Sequence, residues 1–258
     1  MKSAGPAEVN SISFTDSGAP VNDRIFSIVS QKSGQILSSK QYPRLSMIKT
    51  GIHEKQVYIS CPGFPKMSLK ISETFGDDIN IEQICETRVC LRRIKMVNCS
   101  PKSTFSIGRF LDCPVKLLKI IESKDGLNLQ MKSPLLLITS ASIEWLLDRL
   151  RQNGQNKFTT EKLAQRFRAN IYLKTDQAFI EENWKTLRIG NLVFSVNGNC
   201  TRCGAVSTDN LTGTRQNEPL KTLTQSRERA TFGIYITPIL TEKSYKIINL
   251  TDEIEILE

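Results

Sequence analysis

The chain has 258 residues, 39% of them hydrophobic and 24% charged, enough for two modest domains or one large β-rich one. No stretch approaches the roughly 18 consecutive apolar residues of a membrane span, and Met1-Lys2-Ser3-Ala4-Gly5-Pro6 has no apolar run of the secretory kind, so a soluble cytoplasmic protein without membrane association is expected. The net charge of +9, from 35 Lys+Arg against 26 Asp+Glu, is spread along the chain rather than set in basic blocks with interleaved aromatics, which argues against a nucleic-acid partner and suits either a plain solvated basic surface or a small phosphate-bearing ligand.

The first hundred or so residues read as short strands separated by turns. Ile25–Ser30, the turn Gln31-Lys32-Ser33-Gly34 and Gln35–Ser39 predict a hairpin in which Gly34 supplies a positive φ. Strand-like alternation continues over Arg44–Lys49, Gln56–Ser60 and Met67–Ser72, interrupted by Cys61-Pro62-Gly63, and a further strand is expected over Arg88–Ile94. Ser103–Leu111 predicts a short helix, ended by the approach to Pro114, and a domain boundary is placed near 115–120.

Pro134-Leu135-Leu136-Leu137-Ile138-Thr139 is a continuous apolar run, as in a buried strand. It empties into the clearest helix of the chain, in which Ile143, Leu146, Leu147 and Leu150 fall at helical spacing, Ser140 or Ser142 can cap, and Gly154 stops. Such a helix start presents free backbone N–H groups and hydroxyls to an anion, though a plain cap has the same appearance. Further helices are expected over Glu161–Phe167, Ile180–Leu187 and within Glu218–Arg229. Strands are expected over Asn170–Leu173, Arg188–Val196, Arg202–Thr208, Thr231–Ile236 and Lys246–Leu250, with a turn at Asp209–Gly213.

Seven cysteines stand at 61, 85, 90, 99, 113, 200 and 203, an odd and scattered set unlike a disulfide framework. Only Cys200-x-x-Cys203 is closely spaced, and no second pair completes a zinc ribbon. With His53 the one histidine, histidine-rich metal sites and histidine-based triads are nearly excluded. Three segments of the second half stand out. In Arg166-Phe167-Arg168-Ala169-Asn170 the two arginines would share a face if extended and could clamp a phosphate, or be a plain surface pair. In Gly198-Asn199-Cys200-Thr201-Arg202-Cys203-Gly204 the Arg202 charge would favour a Cys203 thiolate if it lies close, and a thiolate is a soft metal ligand; two buried, inert cysteines are the plainer alternative. In Thr231-Phe232-Gly233-Ile234-Tyr235, Gly233 permits close backbone approach.

Taken in order, these segments together with Glu182–Gly190, Asp209-Asn210-Leu211-Thr212-Gly213 and Glu218–Leu223 resemble the MOSC family, named for the C-terminal domain of the molybdenum cofactor sulfurase, over residues 130–257. Lys2-Ser3, Asp23-Arg24 and Tyr42-Pro43-Arg44-Leu45 resemble, more loosely, the β-rich module that precedes MOSC domains. In that module a strand ending in Tyr-Pro precedes the Lys-Ser. Met1 falls almost on that point, so one strand is expected to be missing, either because the chain is a fragment or because its start is misplaced. The resemblance implies a β-rich α+β fold: an N-terminal β-barrel-like module over 1–117 and a MOSC β-barrel with a few short helices over 118–258.

The resemblance also implies a ligand, the molybdenum cofactor (molybdopterin). Cys203 would ligate molybdenum and act as the catalytic sulfur, with Thr201 and Arg202 in the same loop. Arg166, Arg168 and Asn170 would grip the phosphate or pterin edge, Thr139 and Ser140 would form a cofactor-contact turn, Lys2, Ser3 and Arg24 would reach in from the N-terminal module, and Tyr235 would close the pocket. Two subtypes are implied, a sulfurase that takes persulfide sulfur from a cysteine desulfurase and an amidoxime-reducing oxidoreductase; a non-catalytic cofactor carrier needs the same pocket. The short link Ser226-Arg227-Glu228-Arg229-Ala230-Thr231 and the segment Val97-Asn98-Cys99-Ser100 resemble the sulfurase form. A chain of 258 residues leaves no room for a pyridoxal phosphate domain, so sulfur would come from a separate desulfurase domain or partner, with molybdenum hydroxylase apoenzymes as final acceptors.

Overall fold

A computed structural model of the chain describes residues 1–54, 56–70, 84–89, 92–99, 101–122, 135–242 and 246–258. The described residues fall into two compact units. The first is drawn from Met1–Glu8, Asn22–Met131 and Asn210–Thr214, the second from Val9–Val21, Lys132–Asp209 and Arg215–Glu258. Both are β-rich.

In chain order, β1 (Ser11–Ser13) belongs to the second unit and β2 (Phe26–Ser30) opens the first. The first unit continues with β3 (Lys49–His53), β4 (Gln56–Ser60), β5 (Met67–Lys70), β6 (Ile84–Val89), β7 (Arg92–Asn98), α1 (Pro101–Leu111) and β8 (Val115–Glu122). One sheet has the order β2-β8-β7-β6 and a second the order β3-β4-β5. Period-two burial is plain in β4, where Val57 and Ile59 are buried and their neighbours less so. These two side chains join Phe26, Ile28, Leu45, Ile107, Phe110 and Leu117 in one apolar core. After β2 the chain doubles back as expected: Gly34 has φ +68°, and Leu37 N–H donates to the Ile28 carbonyl at 2.8 Å.

Two expectations for this half are corrected. Residues 44–47 do not extend. Pro43–Met47 is a 3-10 turn, started by the fixed φ and missing donor of Pro43 and closed by Ser46 Oγ donating to the Pro43 carbonyl at 2.8 Å; β3 begins only at Lys49. The single strand expected over Arg88–Ile94 is instead the end of β6 and the start of β7, antiparallel partners with Val89 opposite Arg92. Residues 71–72 of the expected Met67–Ser72 strand, and residues 90–91, lie outside the described residues.

The second unit contains β9 (Leu135–Thr139), α2 (Ser140–Gln152), α3 (Thr160–Phe167), β10 (Ile171–Leu173), β11 (Thr186–Ile189), β12 (Leu192–Thr201), α4 (Leu220–Ser226), β13 (Thr231–Ile239), β14 (Ile247–Asn249) and β15 (Ile254–Ile256). The sheet order is β10-β9-β13-β12-β11-β15, and β1 pairs with β14. All five residues of β9 are buried because both of its faces are covered. On one side Leu135, Leu137, Leu187, Phe194, Ile234 and Ile236 form a core. On the other, Leu136, Ile138, Cys200 and Phe232 meet Ile143, Leu146, Leu147 and Leu150 of α2, Leu163 and Phe167 of α3, and Leu223 of α4. The helices thus cover one face of the sheet.

The helix expected over Ile180–Leu187 is a 3-10 turn, Ile180–Asn183, followed by β11. Its apolar residues obey a period of two, with Leu187 and Ile189 buried opposite Phe194 and Leu192 of β12. Likewise Gly204–Ser207 is a 3-10 turn inside the expected strand Arg202–Thr208, and α4 stops at Ser226, before a separate turn at Glu228–Ala230. Among the described residues no helix is long and apolar enough to cross a membrane.

Candidate functional site

Thr139 ends β9 in extended conformation and is the N-cap residue of α2, but its hydroxyl caps nothing. Thr139 Oγ1 lies 2.8 Å from Ser142 Oγ and 3.0 Å from Glu181 Oε2, and Ser142 Oγ donates to Glu181 Oε1 at 2.9 Å. All three residues are wholly buried. Burial raises the Glu181 carboxyl above its ordinary pKa, against the lowering effect of hydrogen bonds from its own backbone, Ser142 and Thr139. Ser140 Oγ donates to the Thr175 carbonyl at 3.2 Å and accepts from Thr175 N–H at 3.1 Å. The two hydroxyls expected to face an anion are therefore turned into the 175–181 segment. What α2 itself offers an anion is the set of N–H groups of its first turn.

The arginine pair is not extended. Thr159 Oγ1 accepts from Lys162 N–H at 3.4 Å to cap α3; Arg166 lies in the last turn of this helix, and Arg168 ends it at φ 54°. Helical positions two apart do not share a face, so the expected common face of Arg166 and Arg168 is corrected. Arg166 is buried, with Nη2 donating to Asp209 Oδ2 at 2.5 Å and its guanidinium over the Phe158 ring at 4.8 Å. Burial lowers its pKa, and Asp209 opposes the shift. Asn170 clamps the sheet: its Oδ1 accepts from Leu136 N–H at 3.1 Å and its own N–H donates to the Leu136 carbonyl at 2.8 Å. Across β9, Leu136 is in register with Tyr235 of β13.

Near its C-terminal end β12 is irregular, with register shifts against β13 on either side of Asn199. Cys200 is buried, its sulfur 3.1 Å from Tyr235 Oη and accepting from Arg202 Nη1 at 3.1 Å. Arg202 also donates through Nη2 to the Phe167 carbonyl at 2.7 Å and lies over the Phe167 ring at 5.0 Å. Burial, and then the bond to Cys200, push the Tyr235 phenol up to about 12, and Cys203 acts on it in the same direction. Thr201 faces elsewhere. It lines an open cleft of about 790 Å³ with Gly198, Asn199, Glu182, Arg227 and Thr231, where Arg227 donates to Glu182 Oε1 at 2.5 Å and lies 3.5 Å over the Phe179 ring. Thr201 and Arg202, expected in one loop, thus have different surroundings. Cys203 follows in extended conformation, before the turn Gly204–Ser207. It is exposed, whereas Cys61 and Cys200 are buried and Cys99 and Cys113 half-buried.

The structure therefore brings Cys200, Arg202, Phe167 and Tyr235 into contact, with Cys203 in electrostatic reach of Tyr235. Thr139 and Ser140 belong to a separate network around Ser142, Glu181 and Thr175. Lys2, Ser3 and Arg24 lie in the first unit. There Lys2 N–H donates to the Phe26 carbonyl at 2.9 Å, Arg24 pairs with Asp23, and Ser3 and Arg24 have φ of 64° and 53°. Ser3, Arg24 and Arg168 share left-handed backbone with Asn22, Glu54, Asp112, Phe179, Arg229 and Ala230, so the conformation does not by itself mark a site.

Sequence reasoning missed two residues of the second unit. Glu181 gave no signal, because a glutamate beside Glu182 reads as surface. Arg215 lies between the motif segments Asp209–Gly213 and Glu218–Leu223, yet a Cβ on Gly204 would stand 2.2 Å from its Nη2, so its guanidinium lies flush against the residue after Cys203.

Among the described residues no group of three or more His, Cys, Asp and Glu could hold a metal ion, so a metal at Cys203 would have to arrive with donors of its own. Arg166 Nη1, Arg202 Nε and Thr208 Oγ1 are buried without a hydrogen-bond partner. An exposed thiol directly after Arg202, whose buried Nε is unpartnered, fits an anionic group that carries a soft metal.

Residues 124–255 match the MOSC domain and residues 1–95 the MOSC N-terminal beta barrel domain. The chain is 30% identical over 266 residues to a molybdenum cofactor sulfurase of Danio rerio, an overlap that covers 89% of this chain and 31% of that protein. It is 30% identical to molybdenum cofactor sulfurase 1 of Aedes aegypti, over 84% of this chain and 30% of that one. To the molybdenum cofactor sulfurase of Homo sapiens it is 32% identical, over 83% and 26%. The chain spans a third or less of the length of these relatives. On the extent of the domain match and the identity to these relatives, the chain belongs to the MOSC family.

Proposed function

We propose that this chain binds the molybdenum cofactor, with Cys203 at molybdenum, and takes part in its sulfuration by accepting persulfide sulfur from a cysteine desulfurase domain or partner. One observation carries the reading: Cys203 is the exposed cysteine among those described, and it directly follows Arg202, whose buried Nε has no hydrogen-bond partner. The names of the relatives support sulfuration over amidoxime reduction.

In this reading Arg166, Arg168, Asn170, Arg202 and the backbone N–H groups of the first turn of α2 hold the pterin and its phosphate, with Thr139 and Ser140 fixing that turn through Glu181 and Thr175. Tyr235 limits the pocket. When bound, the cofactor supplies the soft metal on which sulfur is finally placed. The step that belongs to this chain precedes that. A Cys203 thiolate attacks the outer sulfur of the donor persulfide, the donor S–S bond breaks, and the donor departs as a thiolate. Cys203 then carries the transferred sulfur as its own persulfide, with charge and electron count unchanged. Pyridoxal phosphate chemistry belongs to the donor domain, and molybdenum hydroxylase apoenzymes are the acceptors of the finished cofactor.

The test combines two measurements. Chain purified from a host that makes the cofactor is oxidised and its released ligand examined for fluorescent pterin. Separately, chain treated with a low-molecular-weight persulfide is mapped for added sulfur by mass spectrometry. Wild type is expected to yield pterin and to gain 32 mass units (roughly one sulfur) at Cys203, and Cys203→Ser neither. Folded wild type without pterin removes the cofactor assignment. Sulfur that still accumulates on the chain in Cys203→Ser removes the acceptor assignment.

A further inference from the structure

The arginine next to Cys203 in sequence is committed elsewhere. Arg202 donates to the Cys200 sulfur and the Phe167 carbonyl and lies over the Phe167 ring, so its guanidinium faces the helix-covered side of the sheet. A second arginine reaches residue 203's neighbourhood from 12 residues further along the chain. Thr208 and Arg215 form an antiparallel bridge, and Gln216 N–H donates to the Ser207 carbonyl at 2.9 Å. This pairing folds Arg215 back over the turn that starts at Gly204. On Gly204 a Cβ would meet Arg215 Nη2 at 2.2 Å, Cζ at 3.2 Å and Nε at 3.6 Å, so the guanidinium covers the glycine broadside. Gly204 is buried while Arg215 is exposed: the arginine roofs the glycine and keeps its outer side in solvent. The backbone of Gly204 does not call for glycine, since its φ is not in the left-handed region; the space taken by Arg215 does.

We infer that Arg215, rather than Arg202, supplies the fixed positive charge for anionic sulfur at Cys203, and that Gly204 is small so that this charge can lie there. The inference deepens the sulfur-acceptor reading and rests on it. The attacking thiolate and the persulfide that replaces it are both anions, and a guanidinium stays charged throughout. Arg215 so placed would favour anionic sulfur donors over neutral electrophiles at the same thiol.

Two alkylating reagents of nearly equal size test this. Iodoacetamide is neutral and iodoacetate anionic. Both consume the same Cys203 thiolate, so the ratio of their rates cancels thiolate fraction and accessibility and reports local charge. Rates are read at Cys203 by mass spectrometry of the whole folded chain at low ionic strength, with Cys203→Ser as background. Arg215→Gln is expected to lower the iodoacetate-to-iodoacetamide ratio about fivefold, the effect of one unit charge a few ångströms away in water. Arg215→Lys is expected to retain most of the ratio, and Gly204→Ala, which displaces the charge without deleting it, to lower it by an intermediate factor. Raising the salt to about 0.5 M should shrink these differences, because exposed charges are screened.

A fall of less than twofold in Arg215→Gln overturns the inference, and a larger fall supports it. Should Arg215→Gln not fold, the Gly204→Ala ratio decides by the same limit. The pterin measurement is independent: an unchanged ratio in pterin-bearing protein removes Arg215 alone, and a charge effect in protein without pterin removes the cofactor assignment alone.

Discussion

Glu181 Oε2 receives Thr139 Oγ1 at 3.0 Å in a place with no access to water. The contact ties a 3-10 turn to the strand-to-helix junction of the second unit, and it is made by a carboxyl whose ionisation burial opposes. Its folded pKa is raised above the ordinary 4.5, so above that pH the unfolded chain releases a proton that the folded chain retains. Stability is therefore greatest below 4.5 and falls as pH rises through the folded value. In Glu181→Gln this pH dependence should be absent, with stability at pH 7 at or above wild type. Glu181→Ala strands two buried hydroxyls and should lose about 1–3 kcal/mol. Urea unfolding at pH 5 and 8 checks both, and the idea fails if the glutamine variant keeps the wild-type slope.

Gly233 and Gly198 both have positive φ, +75° and +101°, but they differ in surroundings. A Cβ on Gly233 would lie 2.5 Å from the Leu137 carbonyl oxygen and 2.7 Å from Ile138 Cγ2, whereas nothing stands within 4 Å of one on Gly198. Gly233→Ala should combine backbone strain with a clash against β9 and lose about 3 kcal/mol or more. Gly198→Ala should lose about 1 kcal/mol, the strain alone. Equal losses in denaturant titrations would show that the close approach of β13 to β9 does not matter.

Some of this was legible beforehand. The apolar run 134–139 and the spacing of Ile143, Leu146, Leu147 and Leu150 identify β9 and α2, because a strand buried on both faces and a one-sided helix leave unmistakable patterns. Gly233 could be read as a place of close approach. The end of α3 at Phe167 was legible too, but the common face of the two arginines rested on an extended backbone that this helix does not have. Arg168 ends it as a non-glycine residue in left-handed backbone, which no residue preference signals. Long-range partners were equally hidden. Asp209 stands 43 positions from Arg166, Glu181 stands 42 from Thr139, and neither pairing follows from spacing.

The Arg166–Asp209 pair is mostly out of solvent, with side-chain exposures of 4% and 22%. Removing one partner leaves the other's charge uncompensated, more severely for the more deeply buried group. Asp209→Asn should therefore lose about 3 kcal/mol and Arg166→Met less. The double variant should lose less than the sum of the two, since it leaves no stranded charge. Strict additivity in the cycle would mean that the two side chains do not act on each other.

Tyr235 offers a spectroscopic handle on the cysteine cluster. Burial and the contact with the Cys200 sulfur raise its phenol from 10.0 to about 12. Phenolate absorbance of the folded chain should thus contain one component titrating near 12 that is missing in Tyr235→Phe. Because the folded value is raised, the contribution of Tyr235 to stability is complete below pH 10 and disappears as pH climbs toward 12. Removal of the hydroxyl itself should cost about 1 kcal/mol at neutral pH. Cys200→Ala separates the two causes: with the sulfur gone, burial remains, so the component should move down toward 10 without reaching it. If it does not move at all, the 3.1 Å contact between Cys200 and Tyr235 has no electrostatic consequence, and the tyrosine is held at that end of the sheet by packing alone.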